Sequence, residues 1–251
     1  GLKAKGAVGF TDDGIPILSA ELVRKAMEKA AKLQVPLSFH EEDPAYIENN
    51  GVNRGKASEH YQIGGSDRMA EISLVKRDLE IALETGAAFE VQHISAMESV
   101  ELVRQAKKRA KEMGMDNIHA EATPHHFSLT EKAAIEHGTL AKMNPPLRSI
   151  EDQNAVVDGL LDGTIEMICT DNAPHSAEEK NCAYDKAAMG IVSIEVAFPL
   201  VYTNLVKPGK LSLKRAIELM STNAAKFFEI PGGEIRENEL ANICIYNLDE
   251  D

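Results

Sequence analysis

Four side chains able to do metal or proton chemistry each follow a short apolar run. Asp13 comes after residues 7–11 (AVGFT), His40 after 35–39, His93 after 88–91 and Asp171 after 165–169 (IEMIC). An apolar run of that length, bounded by polar and turn residues, reads as a buried strand. Side chains at the same end of neighbouring parallel strands converge, so residues far apart in sequence can meet. Imidazole and carboxylate together suit zinc or a similar divalent ion, and an open coordination position leaves room for water. Each residue also has a plainer reading: Asp13 as a turn former, His40 as a solvated loop residue among acids, His93 as a core histidine, Asp171 as a helix cap. Recurrence of one pattern at four strand ends favours the metal site.

The intervening stretches supply the elements that would hold these residues. Leu22, Ala26, Ala30 and Leu33 fall at helical spacing behind Ser19, which predicts a capped helix over 19–33. Helices are expected over 68–85, with Gly86 as C-cap, over the lysine-rich 98–114 and over 150–161. Residues 49–67 are polar and glycine-bearing, which predicts a long surface loop. A strand over 118–122 runs into 123–127 (TPHHF), read as its terminal loop. Two further helices are expected over 188–205 and 213–228. Strand and helix alternate with short connections, the pattern of a parallel sheet in an α/β fold. From Pro231 the texture changes, and 241–246 (ANICIY) reads as the beginning of a separate β element.

Bulk properties narrow the function. The 251 residues, 43% of them hydrophobic, suffice for a sizeable core. A net charge of −13 argues against general nucleic-acid or anionic-membrane binding. The three cysteines, Cys169, Cys182 and Cys244, show no CxxC spacing and suit a reducing, cytoplasmic setting. No apolar stretch approaches the roughly 18 residues of a membrane span, and residues 1–14 lack the apolar core of a signal peptide.

The series FTDDG (10–14), SFHEED (38–43), QHIS (92–95), TPHHF (123–127), KMNPPLR (142–148) and TDNAPH (170–175) resembles the bacterial class I dihydroorotases of the amidohydrolase superfamily. The resemblance runs over nearly the whole chain in order. It implies a (β/α)8 TIM-type barrel, present here only as strands four to eight over residues 1–230, with 231–251 starting a small C-terminal β segment. It makes Asp13 a carboxylate bridging two metal ions, His40 and His93 ligands of one ion, and Asp171 a ligand of the other. No His-x-His pair precedes Asp13, so the chain is expected to begin after strand three and to hold at most one zinc, at Asp13, His40 and His93. Two other positions depart from the family pattern: Asn172 stands where many relatives have histidine, and Ser193 replaces a glycine in GIVSIE (190–195).

The implied reaction is reversible hydrolysis of the cyclic amide of dihydroorotate to carbamoyl-aspartate, in pyrimidine biosynthesis. Asp171 would act as general base and then general acid. Asn144 and His175 would contact the ring and its carboxylate, with the backbone near Gly190 completing the pocket. A homo-oligomer is expected, and aspartate carbamoyltransferase is a candidate partner. The rival readings are another cyclic amidase, a hydantoinase or allantoinase, and a non-catalytic scaffold for aspartate carbamoyltransferase. The acidic pair Asp12–Asp13 and the NPPLR run favour dihydroorotase, and survival of the ligands favours an enzyme over a scaffold.

Overall fold

Parallel strands cannot be joined by tight turns, so each neighbouring pair here is separated by at least one helix. In a computed structural model describing residues 1–249, β1 (Phe10–Thr11), β2 (Leu37–Phe39), β3 (Phe89–Val91), β4 (Ile118–Ala122) and β5 (Met167–Ile168) form one sheet. Its order is β1-β2-β3-β4-β5, and every pairing is parallel. Leu37, Phe89 and Ile118 stand in register across the middle of the wall. Five strands make an open wall, short of the eight that close a TIM-type barrel.

The crossover helices bury their apolar stripes against this wall. α1 (Ala20–Leu33) turns Val23, Met27 and Ala30 inward, and the Ser19 hydroxyl accepts the Leu22 N–H at 3.3 Å to cap it. α2 (Lys56–Tyr61) and α3 (Met69–Thr85) lie between β2 and β3, and α4 (Met97–Glu112) leads to β4. α3 is buried on two sides, by Leu74, Val75, Leu79 and Ala82 among others, and ends at Gly86 with φ 68°. α5 (Pro124–Ser128), α6 (Glu131–His137) and α7 (Ile150–Asp162) precede β5. At the start of α7, Ser149 and Asp152 satisfy each other's backbone N–H groups in a capping box. α8 (Ala177–Lys180), α9 (Ala197–Val201), α10 (Leu213–Ile217) and α11 (Asn223–Phe227) follow. The core runs along the helix–sheet interface, through Met27, Phe89, Ile94, Ile118, Leu160 and Ile165.

Several elements depart from expectation for local reasons. The strand read over 7–11 keeps only its last two residues. The loop over 49–67 contains α2, and TPHHF is a helix because Thr123 caps it and Pro124 occupies its first turn. Helix is absent from 188–196 and begins only at Ala197. There Gly190 has φ 144°, and the Asn172 side chain takes the N–H groups of Ser193 and Ile194 at 2.9 and 3.3 Å, holding the chain away from a helical path. The helix over 213–228 is interrupted by a π-turn at Glu218–Thr222. Residues 241–246 form no strand and are exposed, since no partner ladder reaches them among the described residues.

Candidate metal centre and its rim

Every strand ends on the same side of the wall, and the four residues expected at the rim lie there. Asp12 and Asp13 divide their labour. Asp12 accepts the His40 N–H at 2.9 Å and the Ile17 N–H at 3.0 Å, which makes it the turn former of the pair. Burial raises its pKa against these hydrogen bonds. Asp13 is left with an exposed carboxylate.

His40 and His93 are buried at 4% and 5% exposure, so neither is a solvated loop residue. His40 Nδ1 lies 2.9 Å from His93 Nε2 and 3.8 Å from Asp13 Oδ1. One ligand atom from each of Asp13, His40 and His93 falls within 4.8 Å of the other two. Two imidazole nitrogens and a carboxylate oxygen converging on one point are a donor set that fits a divalent cation. The outer face of His40 is fixed as well: its Nε2 sits 3.2 Å from Glu42 Oε2, so the N–H is held there and Nδ1 presents a lone pair.

Charge follows from this packing. Burial alone would lower the His40 pKa, but the hydrogen bond and charge of Glu42, with the charges of Asp13 and Asp12, lift it above the usual value. His93 goes well down through burial and the neighbouring His40 and His126. Burial works against the Glu42 carboxylate, yet hydrogen bonds from His40 and Asn144 bring it below the usual range.

Asp171 stands outside the close triad, although its charge is felt by the same groups. Burial and the Asp13 carboxylate raise its pKa, partly offset by His40. His93 and Asp171 have φ of 30° and 42°, both positive at non-glycine residues. Such backbone strain persists where the surroundings over-determine it, and it clusters at functional positions.

Asn144 reaches the triad from KMNPPLR. Its Nδ2 donates to Glu42 Oε2 at 2.8 Å and lies 3.5 Å from His40 Nε2, while its Oδ1 is buried without a partner. That unpaired acceptor is available to a ligand N–H. Arg148 of the same motif is structural: it donates to Ser95 Oγ at 2.8 Å and Asn53 Oδ1 at 3.1 Å, holding the QHIS turn. His175 is less committed to the site. Its Nε2 donates to the Met189 carbonyl at 2.9 Å and its Nδ1 lies 3.5 Å from Glu179. Gly190 is required where it stands, since a Cβ there would come 2.4 Å from the Ala173 carbonyl. The two departures from the family pattern are neighbours: Asn172 Oδ1 accepts from Ser193 N, and Ser193 Oγ donates to the Thr170 carbonyl at 2.5 Å.

Sequence reasoning passed over Glu42, although it lies inside SFHEED two residues beyond His40. It also passed over the buried lysines 142 and 180, whose partners are backbone carbonyls and leave no trace in residue types.

Comparison with known proteins bears on this arrangement. The sequence model described as "Amidohydrolase family" matches residues 1–251. The dihydroorotase of Clostridioides difficile (strain 630) is 48% identical over 250 residues, covering 100% of this chain and 58% of its own length. That of Clostridium acetobutylicum is 46% identical over 249 residues, covering 99% and 58%. The chain therefore spans somewhat under three fifths of the curated relatives it matches. Among solved structures, the L-hydantoinase (dihydropyrimidinase) from Arthrobacter aurescens superposes with a TM-score of 0.80 at 26% identity, over 96% of this chain and 55% of that one. A D-hydantoinase from Thermus sp. follows at 0.75 and 23% identity over 90% and 52%, a likeness of fold. No helix of the described residues is long and apolar enough to cross a membrane.

Proposed function

The chain belongs to the amidohydrolase family, and from that premise we propose that it carries one rim of a dihydroorotase active site, for reversible hydrolysis of dihydroorotate to carbamoyl-aspartate. The observation that carries this reading is the Asp13–His40–His93 group with the unpaired Asn144 Oδ1 beside it. The 48% identity to a dihydroorotase supports dihydroorotate over a hydantoin, because the hydantoinase likeness stands at 26%.

Asp13, His40 and His93 would hold a zinc ion, which when bound supplies Lewis-acid polarisation of the scissile carbonyl and a more acidic water. The chain's own residues do the rest. Asp171, its pKa raised by burial and by Asp13, takes a proton from the attacking water and returns it to the leaving ring nitrogen. Asn144 Oδ1 accepts a ring N–H and so orients the substrate. The backbone around Gly190 closes the pocket against the Ala173 turn, and His175 supplies a further contact once it leaves the Met189 carbonyl. A homo-oligomer in the cytoplasm is the setting proposed for the whole protein.

The test is hydrolysis by the intact enzyme of dihydroorotate against hydantoin, in the parent and in Asp171→Asn. Dihydroorotate turnover that falls about a hundredfold or more in the variant, at unchanged metal content at the triad, is expected. Preference for hydantoin, or parent-like turnover in Asp171→Asn, overturns the reading.

A further inference from the structure

The side chain of Lys180 ends in an unusual place for a charge. The residue is 7% exposed, and its ammonium meets four backbone carbonyls: Thr139 at 3.1 Å, Lys142 at 3.0 Å, Ala188 at 2.9 Å and Gly190 at 2.7 Å. Buried charges are ordinarily paired with an opposite charge. Here the compensation comes from carbonyl dipoles, as it does when a ring of carbonyls replaces the hydration shell of a bare cation. The protonated amine has three N–H donors for these four acceptors, whereas the neutral amine would have only two.

The four carbonyls belong to two loops. Thr139 and Lys142 lead into the turn that carries Asn144, and Ala188 and Gly190 form the wall packed on Ala173. The Lys142 carbonyl also accepts the Gly190 N–H at 3.0 Å, so both ends of the Gly190 residue are tied to one knot. Lys142 extends it: its own ammonium donates to the Tyr184 and Ala187 carbonyls, each at 2.8 Å. Burial, and then the like charge of Lys142, lower the Lys180 pKa. Removing this ammonium would leave four carbonyls facing one another with nothing between them, and would leave the Gly190 N–H and the Lys142 ammonium to hold the two loops together.

We propose that Lys180 is a positioning residue: its ammonium is a tethered cation filling a four-carbonyl cage, and it sets the spacing between the Asn144 loop and the Gly190 loop of the substrate pocket. For the identity of the substrate this rests on the dihydroorotase reading; the cage itself does not.

The experiment is Lys180→Ala in the intact, metal-loaded enzyme, which empties the cage without filling it. KM for dihydroorotate should rise about tenfold or more with a smaller change in kcat, as expected for misplaced binding loops, while bound metal stays at the parent's stoichiometry. Added ammonium or methylammonium should restore much of the loss, and tetramethylammonium, too large for the cage, should not. Hydrogen exchange across residues 184–193 is read in parallel: faster in the variant, slowed again by ammonium. Exchange requires no turnover, so a parent enzyme inactive on dihydroorotate would sink the functional reading alone. Parent-like KM and parent-like exchange overturn the proposal, and so does a defect indifferent to the small cations, which a packing role alone predicts. Should the alanine variant fail to fold, Lys180→Met keeps the packed stem and removes the charge. Faster exchange over 184–193 then supports the cage, and parent-like exchange overturns it.

Discussion

Glu42 is a residue whose worth depends on one atom. By holding the Nε2–H of His40 at 3.2 Å it leaves the Nδ1 lone pair aimed at His93 and Asp13. Replacing the carboxylate by an amide, Glu42→Gln, removes the charge and lets the amide N–H compete for the ring nitrogen. Loss of such an outer partner ordinarily costs about 10–100-fold in metal affinity, so zinc affinity in a chelator competition should fall within that range. An affinity unchanged within a factor of two would show that the tautomer is fixed by something else. The contrast with His40 and His93 explains what could be read from the sequence. A histidine directly after an apolar run announces its place at a strand end. The role of Glu42 depends on Asn144, 102 positions away, and on Asn50. Residue types alone made Asp171 a rim residue, since a strand end fixes an address and not a distance; its separation from the triad was legible only through the family resemblance, which gave it to the other ion. The Lys180 cage was beyond reach, since carbonyls are common to every residue type.

At the scale of elements, the short helix α5 shows how a motif can be recognised while its structure is misread. TPHHF looks like a loop because of its proline, but Thr123 accepts the His126 N–H at 3.3 Å as N-cap, and proline is welcome in a first turn. The helix is bolted to the NPPLR turn by His126. Its Nε2 donates to the Pro145 carbonyl at 3.0 Å, and its Nδ1 accepts from the Thr123 hydroxyl at 2.7 Å. The Thr123 hydroxyl can donate only to a neutral ring, whereas the bond to Pro145 persists on protonation; burial outweighs that bond and lowers the pKa to about 4. A folded pKa below the unfolded one means that the unfolded chain takes up the proton first. Stability from this group is therefore complete above the unfolded value and declines as pH falls from about 6.5 toward 4. Between pH 7.5 and 4.5 the loss attributable to His126 is about 2–3 kcal/mol. His126→Gln retains a donor toward Pro145 without the titration, so its urea-unfolding free energy should fall less than the parent's over that interval, by about that amount. Equal pH slopes in the two proteins would refute the assignment. The longer helices were legible because apolar residues repeat over several turns, although in α1 the buried stripe is Val23, Met27 and Ala30, and the Leu22 and Leu33 that marked the helix in the sequence are exposed. Residues 188–196 were not, because side-chain bonds from Asn172 override an apparently helical run.

At the scale of the whole molecule, the five-stranded wall leaves β1 and β5 each with a single neighbour. Apolar side chains near the β1 edge are bare, with Ile15 at 81%, Leu22 at 54% and Leu18 at 53% exposure. Such surface normally seeks cover, and it lies on the side where a closed (β/α)8 barrel has its next strand. The triad, by contrast, is assembled by β1, β2 and β3 alone, all of which pair in register. Cation binding at this point therefore joins the ends of three strands and should stabilise the wall as a unit. A ligand that binds only the folded state at a free concentration 100 times its dissociation constant contributes about 2.7 kcal/mol. The isolated 251-residue chain should accordingly bind one zinc ion tightly and show a higher urea midpoint when zinc is added. Asp13→Ala removes the exposed third ligand while leaving Asp12 to form the turn, so the variant should fold, bind zinc far more weakly and lose that increment. Metal analysis after gel filtration, paired with urea titrations with and without zinc, decides the matter. Two tightly held ions in the parent would overturn the expectation of one, and an Asp13→Ala variant stabilised by zinc as fully as the parent would remove the triad from the centre of this site.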